Sequence, residues 1–301
     1  MLFNHEHAML RDSVSTFVER HIAPFVDEWE EAGIFPAHEL FKKMGDAGLL
    51  GINKAEKWGG LGLDYSYSLV FAEEIGRINC SGISTAIGVQ TDRRNFLVPA
   101  IKGESVGCIG VSEEGAGSDV ASIKTQARRI GNEYVINGSK MWITTSTQAD
   151  WVCLLCNTGG DKGPHKNKSL IIVPLDAKGV TRGKRLKKLG AHSSDTAPLF
   201  FDDVRVPVTN RIGEEGRGFI YQMKQFQEER FFAMSKYLSQ VQDAVDITIE
   251  YTKQRKAFGK PLIANQDIYF KLAEMQTDIQ AVRALIYHAC EKYINGEDVD
   301  M

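Results

Sequence analysis

The hydrophobic period changes twice along the chain, and this alternation limits the fold more than any single motif. Up to about residue 104 the apolar residues recur at helical spacing. Leu10, Val14, Phe17 and Val18 form one stripe, and Phe41 to Leu50 reads as an amphipathic helix ending at glycine. The glycine-rich loop Trp58-Gly59-Gly60-Leu61-Gly62 precedes another helix near Ser66 to Gly76. From about 105 to 210 the pattern becomes strand-like. Asn137-Gly138-Ser139 lies between the runs Glu133–Ile136 and Lys140–Thr144. Asn-Gly between such runs predicts a hairpin, because both turn residues need positive φ. Further strands are expected at 151–156, 169–174 and 198–206. No helix-length pattern intervenes, so an antiparallel sheet is expected rather than βαβ units. From Gly218 the helical period returns. Leu238, Val241, Val245 and Ile249 form one stripe, and Ile268, Leu272, Met275, Ile279 and Val282 another. Arg255-Lys256-Ala257-Phe258-Gly259-Lys260-Pro261 breaks the helix between them. Two helices alone bury too little, so a bundle or an oligomer is implied. The expected fold class is α+β. It comprises a helical N-terminal domain (1–104), an antiparallel, barrel-like β middle domain (105–215) and part of a helical bundle (216–301).

Composition removes several functions. At 301 residues the chain has room for two or three domains. A net charge of −3 argues against nucleic acid as a partner. No run approaches the ~18 apolar residues of a membrane span. Met1 to Glu31 carries acids and bases throughout, so no targeting segment is expected there. The five cysteines are sparse and odd in number, which fits a reducing compartment. Cys153 and Cys156 have a metal-like spacing but sit in an apolar strand-like run, where residues three apart face opposite ways. Strand packing is the reading preferred for them. His5-Glu6-His7 has no second ligand cluster nearby and reads as a solvated first turn, so no metal is expected.

Three segments are candidates for chemistry. In Gly115-Ala116-Gly117-Ser118-Asp119 the glycines allow close backbone approach to a phosphate, with Ser118 as a further donor. It lacks the third glycine of a dinucleotide fingerprint, and a plain glycine turn fits equally. Trp142 lies in a strand between Met141 and Ile143. It reads either as core packing or as an aromatic lid on a planar cofactor, with the Thr144 hydroxyl on the same face. Glu228-Glu229-Arg230 lies early in a long helix among Phe226, Phe231 and Phe232. Three charges there ordinarily form a solvated face. Glu229, however, shares spacing with Phe226 and Ala233, and a carboxylate on an apolar stripe has a raised pKa suited to a base. Arg230 beside it suits a carbonyl or phosphate oxygen.

Taken together and in order, four stretches resemble the acyl-CoA dehydrogenase family of flavoenzymes. They are Val111-Ser112-Glu113-Glu114-Gly115-Ala116-Gly117-Ser118-Asp119, Asn137-Gly138-Ser139-Lys140-Met141-Trp142-Ile143-Thr144, Asp203-Val204-Arg205-Val206-Pro207 and Gln254-Arg255-Lys256-Ala257-Phe258-Gly259-Lys260. The wording around Gly88 to Asp92 and Gln225 to Arg230 is most similar to the citronellyl-CoA dehydrogenase branch. The resemblance implies FAD, an acyl-CoA thioester substrate, an electron-transfer flavoprotein as acceptor and a homotetramer or homodimer. It also implies that Val111, Ser112, Gly117, Ser118, Trp142, Ile143 and Thr144 meet the cofactor. Ser118 and Arg230 would meet the CoA moiety, and Arg255, Phe258 and Gln266 would reach FAD across a subunit interface. Family members carry the base at one of two positions, and Glu229 fills the one just before the helix arginine.

The chain also departs from the family pattern. Gln90-Thr91-Asp92 runs directly into Arg93-Arg94-Asn95, where roughly twenty further residues, a short helix and its turn, are expected. The chain stops at Met301 after two helices of the C-terminal domain. Glu114 stands for the usual proline, Thr145-Ser146 for Asn-Gly, and His192 for a frequent arginine. The alternatives are therefore a shortened, catalytically impaired member that binds acyl-CoA or a partner, and a nitroalkane-oxidase or monooxygenase relative. A bacterial cytoplasm is the expected location, with a mitochondrial matrix form as the alternative.

Overall fold

The computed structural model describes residues 2–78, 80–89, 94–159 and 163–299. The junction between Gln90 and Arg93, where the sequence departs from the family pattern, lies outside the described residues. In chain order the elements begin with α1 (His5–His21), α2 (Val26–Ala32), α3 (Ala37–Asp46), α4 (Tyr65–Gly76), α5 (Ser81–Val89) and α6 (Arg94–Ile101). The strands β1 (Gly107–Gly110), β2 (Gln126–Ile130), β3 (Glu133–Thr144), β4 (Trp151–Asn157), β5 (Lys168–Pro174), β6 (Val180–Arg182), β7 (Thr196–Pro207) and β8 (Arg211–Ile212) follow. The chain closes with α7 (Gly218–Gln254), the short pair β9 (Lys256–Ala257) and β10 (Lys260–Pro261), and α8 (Gln266–Ile294). The described chain forms two compact units, one of 1–24, 63–84 and 230–301, the other of 25–62 and 85–229.

The second unit is built on an eight-stranded sheet in the order β6-β7-β3-β2-β4-β5-β8, with β1 attached to β4. Most pairs are antiparallel, as the absence of intervening helices predicts. β1 and β4 instead run parallel, with Gly107 opposite Trp151, so the sheet is mixed. The hairpin expected at Asn137-Gly138 is not there, because β3 runs unbroken through both residues. Asn137 exchanges hydrogen bonds with Asp203, its Nδ2 donating to Oδ1 at 2.9 Å and its Oδ1 accepting from the Asp203 amide at 2.9 Å. Gly138 takes φ 145° where a Cβ would lie 2.6 Å from the Thr125 hydroxyl. The Asn-Gly pair thus stays in the strand and faces a bulge in β7, where Asp202 and Asp203 oppose Asn137 and Asp203 takes φ 48°, and the turn falls earlier, at Gly131-Asn132 between β2 and β3. Cys153 and Cys156 lie along β4 as strand residues, neither of them in a disulfide. Burial pushes the Cys156 thiol up to about 12.

The first unit is helical. Its core joins Tyr65 and Leu69 of α4 to Phe231, Leu238 and Val245 of α7 and to Leu272, Ile279 and Ile286 of α8. Each such side chain contributes about 1.5–3 kcal/mol when removed from water. Leu238 and Val245 of the first expected stripe and Leu272 and Ile279 of the second are covered in this way, with Ile249 and Ile268 partly buried against them. Val241, Met275 and Val282 remain exposed, with Met234 and Tyr237 beside them. The same unit holds an ionic network. Arg11 of α1 donates to Glu73 at 2.9 Å and to Glu74, both on α4, and Glu73 also accepts from the Tyr287 hydroxyl of α8.

The solvated first turn expected at His5-Glu6-His7 is corrected at His7, which is only 5% exposed. Its Nδ1 closes a capping box with Asn4, and its Nε2 lies 2.7 Å from the Ser66 hydroxyl. The ring stacks on Tyr67 at 3.7 Å. Desolvation lowers the His7 pKa, against opposing Asp64 and Glu6 charges. The unfolded chain therefore binds the proton more tightly than the folded one, and stability rises with pH through this window. The contribution is present above the unfolded value of 6.5 and is lost as the pH falls below it. We expect the thermal midpoint to drop between pH 7.5 and 5.5, and His7→Gln to flatten that drop; equal slopes for the two proteins would refute the role given to His7.

Candidate functional site

β1 delivers the chain into the loop Val111–Asp119. Glu113 and Ala116 face each other there and exchange two backbone hydrogen bonds at 3.0 and 3.1 Å, closing a tight turn with Glu114 and Gly115 at its tip. A Cβ on Gly115 or Gly117 would meet only open space. Ser118 is exposed, and a short 3-10 turn, Val120–Ser122, follows. The Met141 amide donates to the Ser112 carbonyl at 2.9 Å, which brings β3 alongside this loop. β3 itself bulges further on, between Lys140 and Ile143. Trp142 takes φ 59° in that bulge and leaves its indole 52% exposed. Ile143 is buried, and Thr144 is half-buried. Core packing, one of the two readings of Trp142, is thereby excluded.

Beneath the loop lies a buried ion pair that sequence reasoning did not single out. Lys140 Nζ donates to the Glu113 carboxylate at 2.9 Å and to the Val111 carbonyl at 2.8 Å. Glu113 also accepts from the Lys124 amide, the Thr125 amide and the Thr125 hydroxyl at 2.7, 3.0 and 2.6 Å. Desolvation alone would raise the Glu113 carboxyl. The Lys140 charge and the Thr125 and Lys124 donors outweigh it and hold the group below its usual range. The available signal was phase, since Lys140 shares its strand face with the buried Tyr134 and Ile136.

Thr145 takes φ 63°, where the family pattern has asparagine, a residue that tolerates this region better than a β-branched one. Its hydroxyl is buried and has no hydrogen-bond partner among the described residues. Ser146 settles in place by donating to the Ile143 and Ala197 carbonyls at 2.8 and 3.1 Å.

α7 enters the same unit through Tyr221 and Phe226, which pack against Val111, Ala116, Ile123, Leu155 and Leu170. Glu229 follows Phe226 by three residues, on the same helix face, and is half-buried. Val111, Ser112, Gly117, Ser118, Trp142, Ile143, Thr144 and Glu229 all belong to the β-sheet unit. Arg230, Arg255, Phe258 and Gln266 belong to the helical unit. There Arg230 lines an apolar groove of about 540 Å³ between α7 and α8, with Met234, Tyr237, Val241 and Met275. Arg255 and Phe258 sit on the exposed β9–β10 hairpin, and Gln266 opens α8. No cluster of metal ligands exists among the described residues, and no described helix is long and apolar enough to cross a membrane.

These features fit a flavin. An uncovered indole suits one face of a planar ring. Ser112 and Thr144 carry hydroxyls on the two segments beside that indole, and the open glycines of the loop leave space for phosphate oxygens.

Comparison with known proteins agrees. Residues 4–96, 108–204 and 216–301 match the models of the acyl-CoA dehydrogenase N-terminal, middle and C-terminal domains. The chain is 37% identical over 298 residues to the mitochondrial long-chain specific acyl-CoA dehydrogenase of Rattus norvegicus, covering 95% of this chain and 69% of that enzyme. The crystal structure of an acyl-CoA dehydrogenase from Geobacillus kaustophilus superimposes with a TM-score of 0.92 at 36% identity, over 99% of this chain and 81% of that one. A glutaryl-CoA dehydrogenase from Mycobacterium smegmatis, solved in complex with FADH2, superimposes at 0.89 with 27% identity, over 99% and 78%. With three family domains matched in order, and on a fold shared with a flavin-holding relative, the chain belongs to the acyl-CoA dehydrogenase family, the FAD-dependent oxidoreductases of acyl-CoA thioesters.

Proposed function

We propose that Glu229 is the base of an α,β-dehydrogenation of an acyl-CoA thioester. The observation that carries this is the placement of Glu229 three residues past Phe226, whose ring packs on the core under the Val111–Ala116 loop. The Glu229 carboxylate takes the α-proton while the β-hydrogen departs as hydride. FAD, when bound, supplies the acceptor for that hydride. Ser112 and Thr144 hold the ring edge, Val111 and Ile143 lend backbone groups, and Trp142 shields one face from water. Gly117 and Ser118 receive phosphate oxygens, and Ser118 and Arg230 also serve the CoA moiety. Arg255, Phe258 and Gln266 reach the cofactor of a neighbouring subunit, so a homotetramer or homodimer is the working form. An electron-transfer flavoprotein takes the electrons onward, in a bacterial cytoplasm. The domains divide at 104/105 and 215/216, and the branch of the family that the sequence most resembles is the citronellyl-CoA dehydrogenases.

Three outcomes separate the readings. Purified protein is expected to carry the flavin absorption bands, and these bands are expected to bleach when an acyl-CoA is added without oxygen. Protein that stays colourless after reconstitution with FAD would leave a thioester- or partner-binding role. Bleaching by a nitroalkane but by no thioester would point to the nitroalkane-oxidising relatives. There the base is usually aspartate, and the glutamate here favours the thioester.

A further inference from the structure

We propose that the buried Lys140–Glu113 pair is a positioning device that holds the Ser112 backbone and the Trp142 bulge in one fixed relation for flavin binding. This rests on the reading that the flavin meets Ser112, Trp142 and Thr144. Lys140 spans Ser112 from below. Its Nζ donates to the carbonyl of Val111, the residue before, at 2.8 Å and to the carboxylate of Glu113, the residue after, at 2.9 Å. The Met141 amide holds the Ser112 carbonyl itself at 2.9 Å. Ser112 is thus pinned at three consecutive points by two consecutive residues of β3. The residue after those two is Trp142, in its positive-φ bulge. A displacement of either segment is therefore transmitted to the other.

The surroundings show a place built for this lysine. Gly110 packs beside its stem, although the missing Cβ there makes room for Val152, whose Cγ2 would lie 2.8 Å away, while Lys140 Cγ at 3.6 Å would be an ordinary contact. Lys140 is 1% exposed. Cys156 and Lys168 are the other titratable groups that act on it. The Cys156 thiol is pushed up to about 12 and stays neutral at neutral pH, so Glu113 provides the countercharge. A buried pair of this kind is weak support for stability, because two well-packed neutral residues commonly serve as well. Retention of both charges under the one loop that faces the cofactor is better explained by geometry. The pair fixes where the Ser112 and Trp142 side chains stand before the cofactor arrives, and preorganisation of this sort lowers the ordering cost of binding.

The test uses the full chain, stripped of flavin and titrated with FAD. In Glu113→Gln/Lys140→Met both charges are removed together, so neither is left buried alone. We expect an apoprotein with a thermal midpoint close to that of the unsubstituted chain. Its affinity for FAD should fall at least tenfold, and the resolved shoulders of the bound flavin band should blur. Glu113→Gln alone, which keeps one oxygen for Thr125 and Lys140 and loses the acceptor of the Lys124 amide, is expected to weaken FAD binding several-fold, and it serves if the double variant does not fold. Unchanged affinity and band shape in a folded variant would overturn the proposal. A midpoint that falls in step with affinity would overturn it too, leaving the pair a structural one. Failure of the unsubstituted chain to bind FAD at all would instead sink the reading of the site.

Discussion

Glu229→Gln is expected to lower turnover by about 10²–10⁴-fold while FAD stays bound, since that is the range a positioned general base contributes. The amide keeps the size and the helix, so Phe226 and its packing on Val111 and Ala116 should persist. It cannot accept the α-proton, however, and the thioester is then held without being deprotonated. Michaelis constants should move little, because proton abstraction is an interaction of the transition state and not of the bound ground state. The discriminating measurement is anaerobic: mixing the variant with an acyl-CoA should leave the flavin bands largely unbleached over a time in which the unsubstituted chain bleaches fully. Near-normal bleaching would assign the base elsewhere. Glu228, its neighbour, serves as the control. It lies one residue round the helix and so faces away from Glu229, and Glu228→Gln is expected to turn over normally.

The second large effect concerns stability. Arg11 is the common partner of two carboxylates whose side chains are 3% and 4% exposed, Glu73 and Glu74. Arg11→Ala leaves Glu73 with Tyr287 and Arg283, and Glu74 with Arg77, so neither becomes wholly uncompensated. The guanidinium is itself 37% exposed, which discounts its worth through solvent screening. Removing charge-assisted bonds to two buried carboxylates still costs about 2–3 kcal/mol. Equilibrium denaturation should show this loss with an unchanged denaturant slope. A cost below about 0.5 kcal/mol, the ordinary scale of a surface substitution, would refute the network's role.

Much of this was legible from periodicity. α7 and α8 follow from stripes of apolar residues three and four apart, and β4, β5 and β7 from apolar runs between polar turns. The candidate site was legible mainly through the order of its motifs. What escaped depended on neighbours distant in sequence. Asn-Gly signals backbone that tolerates positive φ, and a turn and a crowded strand position both use it. Thr125, packed on Gly138, and Asp203, in the β7 bulge opposite Asn137, decide for the strand, and neither is adjacent to the pair in the chain. His7 reads as a solvated histidine in sequence because Ser66, which closes over it, lies 59 residues away, although Asn4 at the helix start already marks a cap. Lys140 reads as one more polar residue on a strand, because the carboxylate that draws it inward lies 27 residues earlier.

The ends of the sheet have a consequence for handling the protein. The strand order terminates in β6, three residues long, and β8, two residues long, and each carries an arginine, Arg182 and Arg211. A strand from another molecule that tried to extend the sheet at either end would find two or three rungs and a positive charge. Short, charged margins of this kind suppress edge-to-edge growth. The sheet is therefore poor seed material for fibrils, and any clumping of the folded protein in concentrated solution should proceed through the bare helix face of Val241, Met275 and Val282, reversibly and with the native β-signal intact.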